Sequence, residues 1–156
     1  MRSWRSSSRT STPLVTLTLP DRAVRYVVLD TDVASQAIKG RLTDPLAARL
    51  TGMAWCVTFV TVGELWQWAT TRSWGLRTRE ELEQWLGRVV VLNSDDATSR
   101  AWGRISAAAR HRGRPRPAND SWVAACCLAH GFLLATFNVK DFEDFAEHDG
   151  LRLITA

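Results

Sequence analysis

A chain of 156 residues with 46% apolar content suits one domain with a sizeable core, and none of its apolar runs reaches the length of a membrane helix. The formal charge of +4 is carried almost wholly by arginine, since Lys39 and Lys140 are the only lysines; this suits phosphate contact but is also a mark of GC-rich coding, so charge alone does not select nucleic acid as partner. Cys56, Cys126 and Cys127 are odd in number and lack metal-ligand spacing, which argues against a disulfide framework and for free, buried thiols in a reducing cytoplasm.

Residues 1–22 differ from the rest. They are rich in Ser, Thr and Arg, with no acid before Asp21 and no secretory apolar core. We read them as a disordered or mis-started extension and place the folded domain at residues 23–156. From Val24 the pattern alternates strand and helix. Val24–Leu29 is a short β-branched run and the first expected strand. A short helix is expected over Val33–Ile38, and Asp44-Pro45 reads as an N-cap and first helical proline for a helix to Leu50. Trp55–Val60 reads as the second strand, followed by a helix from Val62 to Thr71. Thr78-Arg-Glu-Glu81 has capping-box spacing and is expected to open a helix ending at Leu86. Val89–Leu92 is the third strand, and Asp95 or Asp96 caps a helix to His111. A basic, proline-broken linker from Arg112 to Pro117 leads to a helix from Ala118 to Ala129, closed by Gly131. Phe132–Thr136 is the fourth strand, Asn138–Phe145 a loop or short helix, and Leu151–Ile154 the fifth strand. This alternation implies an α/β fold with a mainly parallel sheet and helices on both faces.

Three acids stand in apolar or small-residue settings, where carboxylates are least expected. Asp30 ends the first strand, Glu64 lies in the helix after the second, and Asp120 starts an apolar helix. Asn138 and Asp141 follow the fourth strand. If strands one and four are neighbours, the crevice past their carboxyl ends collects all five groups. Taken singly, Glu64 or Asp120 is explained as well by the helix dipole, which also accounts for Asp32, Asp44, Asp95 and Asp96. Together they are not so easily dismissed. Clustered carboxylates repel by roughly 4 kcal/mol per pair at ~4 Å and an effective dielectric near 20. A hard divalent cation removes that repulsion, and oxygen-only ligands suit Mg²⁺ or Mn²⁺. Such a site fits phosphodiester hydrolysis. His111, His130 and His148 are scattered away from these motifs and read as surface residues.

Four stretches, Leu29-Asp-Thr-Asp-Val33, Thr61-Val-Gly-Glu-Leu65, Ala118-Asn-Asp-Ser-Trp-Val-Ala-Ala125 and Thr136-Phe-Asn-Val-Lys-Asp-Phe142, together resemble the PIN-domain ribonucleases, most closely the VapC-type toxins of toxin–antitoxin pairs. The resemblance spans Val24 to Ile154. It implies a doubly wound sheet of strand order 3-2-1-4-5 and a Mg²⁺- or Mn²⁺-dependent endoribonuclease. It implies that Asp30, Glu64 and Asp120 hold the metal. The fourth family position falls on Asn138, where many members carry aspartate; Asp141 is then a second source of the carboxylate. Thr31 and Thr136 match hydroxyl positions that support the ligands. Asp32 stands where the family usually has asparagine. The resemblance also implies a homodimer and a cognate antitoxin as partner.

Arg104, Arg110, Arg112, Arg114 and Arg116 precede Asp120 and could form a rim for RNA phosphates; a solvated helix face and linker explains them equally well. Trp66, Trp85, Trp102 and Trp122 fall at apolar helical positions and are expected in the core, whereas Trp68 and Trp74 are candidates for a dimer or antitoxin surface. Two other functions compete. A catalytically weak RNA binder would follow if Asn138 disables the site. Val28-Leu-Asp-Thr-Asp-Val33 also resembles the nucleophile motif of haloacid-dehalogenase-type phosphatases, although that reading leaves Glu64 and Asp120 unexplained.

Overall fold

Tyr26-Val-Val-Leu29 forms the central strand, β1, and its side chains alternate between two cores. In the computed structural model, which describes residues 24–156, Val27 and Leu29 enter one helical layer and Val28 the other, all three without exposed surface. The N-terminal extension expected over residues 1–22 lies outside the described residues.

The chain starts on a strand, and two helices follow each of the first three strands. The elements are β1, α1 (Thr31–Ile38), α2 (Asp44–Leu50), β2 (Ala54–Thr58), α3 (Phe59–Thr71), α4 (Leu76–Leu86), β3 (Val90–Leu92), α5 (Asp96–His111), α6 (Ala118–His130), β4 (Leu133–Ala135), α7 (Val139–Asp149) and β5 (Leu153–Ile154). All strand pairs are parallel, in the order β3-β2-β1-β4-β5 expected from the resemblance. One core packs Val28, Cys56 and Leu134 against α5, α6 and α7, through Ile105, Val123–Cys127, Phe142 and Phe145. The other packs Val27, Leu29, Val57 and Ala135 against α1, α2, α3 and α4, through Val33, Leu46, Leu50, Leu65, Leu82 and Trp85. Because the chain leaves β1 toward β2 on one side and reaches β4 on the other, the connections diverge between β1 and β4. That divergence opens a crevice past their carboxyl ends.

Several boundaries differ from the sequence reading, each for a physical reason. The second strand stops at Thr58, not Val60: the Thr58 hydroxyl accepts the Thr61 N–H (3.2 Å) and caps α3, so Phe59 and Val60 are already helical. Thr43, not Asp44, is the cap of α2, with Pro45 inside the first turn. Thr78 caps nothing, since α4 begins at Leu76 after Gly75. The segment after Asn138 is a full helix to Asp149, closed by Gly150 at φ 81°. Asp95 does cap α5, accepting the Thr98 N–H at 2.7 Å, and Gly131 ends α6 in the left-handed region at φ 69°.

The three cysteines are buried and free, and burial pushes the Cys56 and Cys126 thiols up to about 11. No helix among the described residues is long and apolar enough to cross a membrane. Trp68 and Trp74 are partly buried against the second core, like Trp66, and Trp68 also carries the Arg72 guanidinium at 4.5 Å. Trp102 packs against the first core, and Trp122 stacks on Trp102 at 4.9 Å.

Candidate active site

The crevice past β1 and β4 gathers the predicted residues from five elements. Asp30 is the last residue before α1. Its Oδ1 accepts the Thr31 N–H at 2.8 Å and its Oδ2 accepts the Thr136 hydroxyl at 2.9 Å, so both carboxylate oxygens are oriented. Thr136 in turn accepts the Asn138 N–H at 3.0 Å, which ties the end of β4 to the start of α7. The Asp30 N–H donates to the Ala135 carbonyl at 2.9 Å, continuing the β1–β4 ladder into the site.

Glu64 is held from α1. The Thr31 hydroxyl donates to Glu64 Oε1 at 3.1 Å and lies 3.0 Å from the Thr61 hydroxyl. A hydroxyl has one proton to give; with Thr31 donating to the carboxylate, Thr61 donates to Thr31. The sequence reading missed Thr61, although its spacing from Thr58 was a visible capping signal. Because α3 begins at Phe59, Glu64 lies in its second turn and α3 has no acid in its first. The helix-dipole explanation for Glu64 therefore fails.

Asp120 is in the first turn of α6, where the dipole should lower its pKa. Instead burial raises it to about 6, helped by the charges of Asp141, Asp30 and Glu64 and opposed by Arg116. Burial likewise lifts Asp30, with Asp32 and Asp141 adding to the effect against two hydrogen bonds. Glu64 is raised by burial first, then by Asp30 and Asp32, with the Thr31 hydroxyl opposing. At Asp30, Glu64 and Asp120 like charge adds to burial, and the carboxylates that supply it, Asp32 and Asp141 included, make one electrostatic cluster. As the side chains lie, no three acidic, histidine or cysteine groups among the described residues close on a metal-sized point. The donor chemistry, oxygen throughout and excess negative charge, nevertheless fits a hard divalent cation.

Asn138 turns its side-chain amide toward α1 and donates to Asp32 Oδ2 at 2.9 Å. Two carboxylates at these positions would repel, so an Asp32–Asn138 pair replaces a charge clash with a hydrogen bond.

The arginines separate into distinct roles. Arg112 is committed elsewhere: its Nη2 lies 2.6 Å from Asp144 and 3.7 Å from Asp149, and only 24% of its side chain is exposed. Its expected place on an RNA rim is therefore taken by a brace between α5 and α7. Arg116 donates to the carbonyls of Asp141 (3.3 Å) and Lys140 (3.4 Å), beside the carboxylates. Arg110 and Arg114 are exposed. Arg110 and Arg116 share the wall of a cavity of about 360 Å³ between α5 and α6.

The PIN domain model matches residues 27–148, and the chain belongs to the PIN-domain family. Within it the chain is of the VapC type. It is 32% identical over 134 residues to Ribonuclease VapC4 of Mycobacterium tuberculosis, covering 85% of this chain and 98% of the relative. Among solved structures it is similar to VapBC2 from Rickettsia felis, a crystal structure bound to a DNA fragment from their promoter. The TM-score there is 0.72 at 17% identity, over 84% of this chain and 98% of that one. It is also similar to VapBC-5 from Mycobacterium tuberculosis, described as a member of the VapBC family of toxin–antitoxin systems. That match has a TM-score of 0.63 at 22% identity, over 84% of this chain and 98% of that one. At these identities the solved structures speak for the fold.

Proposed function

We propose that this chain is a Mg²⁺- or Mn²⁺-dependent endoribonuclease, the toxin of a toxin–antitoxin pair, working in the cytoplasm as a homodimer and silenced by a cognate antitoxin protein. The observation that carries this reading is the convergence of Asp30, Glu64 and Asp120 from three elements, each with its pKa raised first by burial and then by neighbouring carboxylates. Asp30, Glu64 and Asp120 would hold the metal, with Asn138 through its carbonyl oxygen and Asp141 beside them. A divalent cation there supplies charge neutralisation, a lowered pKa for water and polarisation of the phosphoryl group.

The chain's own residues prepare the site. The Thr136 hydroxyl and Thr31 N–H fix the two Asp30 oxygens, and the Thr61–Thr31 relay aims Glu64. Preset carboxylates need no reorganisation when the substrate arrives, which is where electrostatic catalysis gains most. Exposed Arg110 and Arg114 offer positive charge to flanking RNA phosphates, and Arg116 sits nearest Asp120. Hydrolysis joins a water oxygen to phosphorus and breaks the bond to one ribose oxygen, which leaves with a proton.

The test is cleavage of total cellular RNA by purified protein in Mg²⁺, in Mn²⁺ and in chelator. Discrete fragments are expected with either metal and none with chelator. Asp30→Ala should lose at least ~100-fold in rate, the scale of removing one electrostatic contributor to catalysis. RNA binding without cutting at any divalent concentration would refute the nuclease and favour the inactive binder.

A further inference from the structure

Phe137 is the only exposed Phe, Tyr or Trp among the described residues. The other aromatics there are buried or partly buried, and most pack against the two cores. Phe137 is 37% exposed, and Val139, two residues on, is 38% exposed. Both flank Asn138 at the acidic crevice. Thr136, the preceding residue, is fully buried with its hydroxyl on Asp30. The chain here alternates, with one side chain turned in to orient a carboxylate and the next turned out to solvent. Residues 137–141 line a cavity of about 420 Å³ that includes Lys140, one of the chain's two lysines. The Arg116 guanidinium fixes this wall through the Lys140 and Asp141 carbonyls.

An outward aromatic has no packing reason to sit at this edge, and a β-branched or polar residue would serve the strand end as well. Its Cα lies about 3.8 Å from those of Thr136 and Asn138, the fixed spacing of a trans peptide. A single strand whose scissile phosphate lies at the carboxylates would pass its neighbouring base over this position. We propose that Phe137 is a stacking platform for an RNA base next to the cleaved phosphodiester, with Val139 extending the apolar face and Lys140 meeting the adjoining phosphate. The inference rests on the nuclease reading above. The carboxylates of Asp32 and Asp141 border the same patch, so an acidic peptide is disfavoured there, whereas a base has a π-face and no charge. Stacking of this kind tolerates every base, so Phe137 contributes affinity and position more than a sequence code.

The test compares wild type with Phe137→Ala, Phe137→Leu and Phe137→Trp. Binding of a short single-stranded RNA carrying 2-aminopurine is read in chelator, where cleavage does not intrude. Phe137→Ala should weaken binding by about 5- to 100-fold, the range of one lost base–aromatic stack. Phe137→Leu should keep the apolar contact but lose the quenching of 2-aminopurine fluorescence, and Phe137→Trp should retain both. In Mg²⁺, Phe137→Ala should raise KM while leaving kcat nearly unchanged. Unchanged affinity and quenching in Phe137→Ala, or a wild type that does not bind the oligonucleotide, would overturn the proposal. So would a Phe137→Ala variant that handles RNA normally but escapes inhibition by a protein partner, since the patch would then be a protein-docking face. A wild type that binds and quenches without cutting in any metal removes the nuclease reading and leaves the stacking platform standing.

Discussion

Asp120 bears the charge conflict of the site most plainly. Its folded pKa of about 6 stands above the ordinary 3.8, and Asp30 and Glu64 move in the same direction. A raised carboxylate pKa means the folded state holds the proton more tightly than the unfolded chain. Stability from this group is therefore fully present below the unfolded pKa and is lost as pH rises through about 6. Asp120→Asn removes the conflict. It should stabilise the metal-free protein at pH 7.5 by about 1 kcal/mol, allowing for solvent screening of a partly exposed group, and raise Tm by roughly 3 °C. At pH 4 the gain should nearly vanish, and cleavage should be lost at both. Thermal melts of both proteins at the two pH values, with and without Mg²⁺, check this. A variant that melts below wild type at pH 7.5 would contradict a site strained by like charge. At this scale the acids were legible because carboxylates in apolar settings are conspicuous. Of the hydroxyls that aim them, Thr31 and Thr136 came only with the family resemblance and Thr61 was missed, since nothing in the sequence says which way a threonine points. The Asp32–Asn138 hydrogen bond joins residues 106 apart and exists only once β1 and β4 are neighbours.

Two element ends marked by a cap residue were read closely, whereas Thr58 at α3 and Gly150 at α7 cap helices whose bounds were misread. Asp95 and Gly131 gave the start of α5 and the end of α6 to within a residue. The apolar run from Trp55 to Val60 continues unbroken from strand into helix, so no change of period marks where β2 ends. Thr78 has capping-box spacing but lies within α4, whose packing residues Leu82 and Trp85 set the helix. The helix α7 was underestimated because its interior holds Asp144, an acid that reads as a surface residue until its partner is known. Arg112, the C-terminal cap of α5, meets Asp144 at 2.6 Å, and only 5% of the Asp144 side chain is exposed. The hydrogen bond from Arg112 holds the Asp144 carboxyl below its ordinary range. Its contribution is thus present above the unfolded pKa and lost as pH falls through the lowered value. Asp144→Ala should cost about 2 kcal/mol at pH 7, because it leaves a mostly buried guanidinium with only the more distant Asp149, 3.7 Å away. Denaturant titrations should show that loss at pH 7, and the difference should shrink as the pH is lowered below the ordinary carboxylate range. Equal midpoints at pH 7 would mean the brace between α5 and α7 carries no stability.

At the scale of the whole molecule, alternation of strand and helix was enough to give the class, but not the neighbours of each strand. The order β3-β2-β1-β4-β5 came with the family resemblance, because periodicity cannot tell which strands pair. That order matters to function: it makes β1 central, buries both its faces and leaves its carboxyl end beside that of β4. Among the described residues every strand and both cores are built from Tyr26 onward, and the PIN match spans 27–148. None of the candidate site residues named above falls in residues 1–22. A chain beginning at Ala23 should therefore melt within about 1 °C of the full chain, since terminal residues outside a core contribute little to it. It should cut RNA at the same positions and at the same rate. Differential scanning calorimetry and end-mapping of the RNA fragments test the two halves of this expectation separately. If the shortened chain fails to fold, residues 1–22 belong to the domain. If it folds but cuts elsewhere or slowly, the extension takes part in handling the substrate.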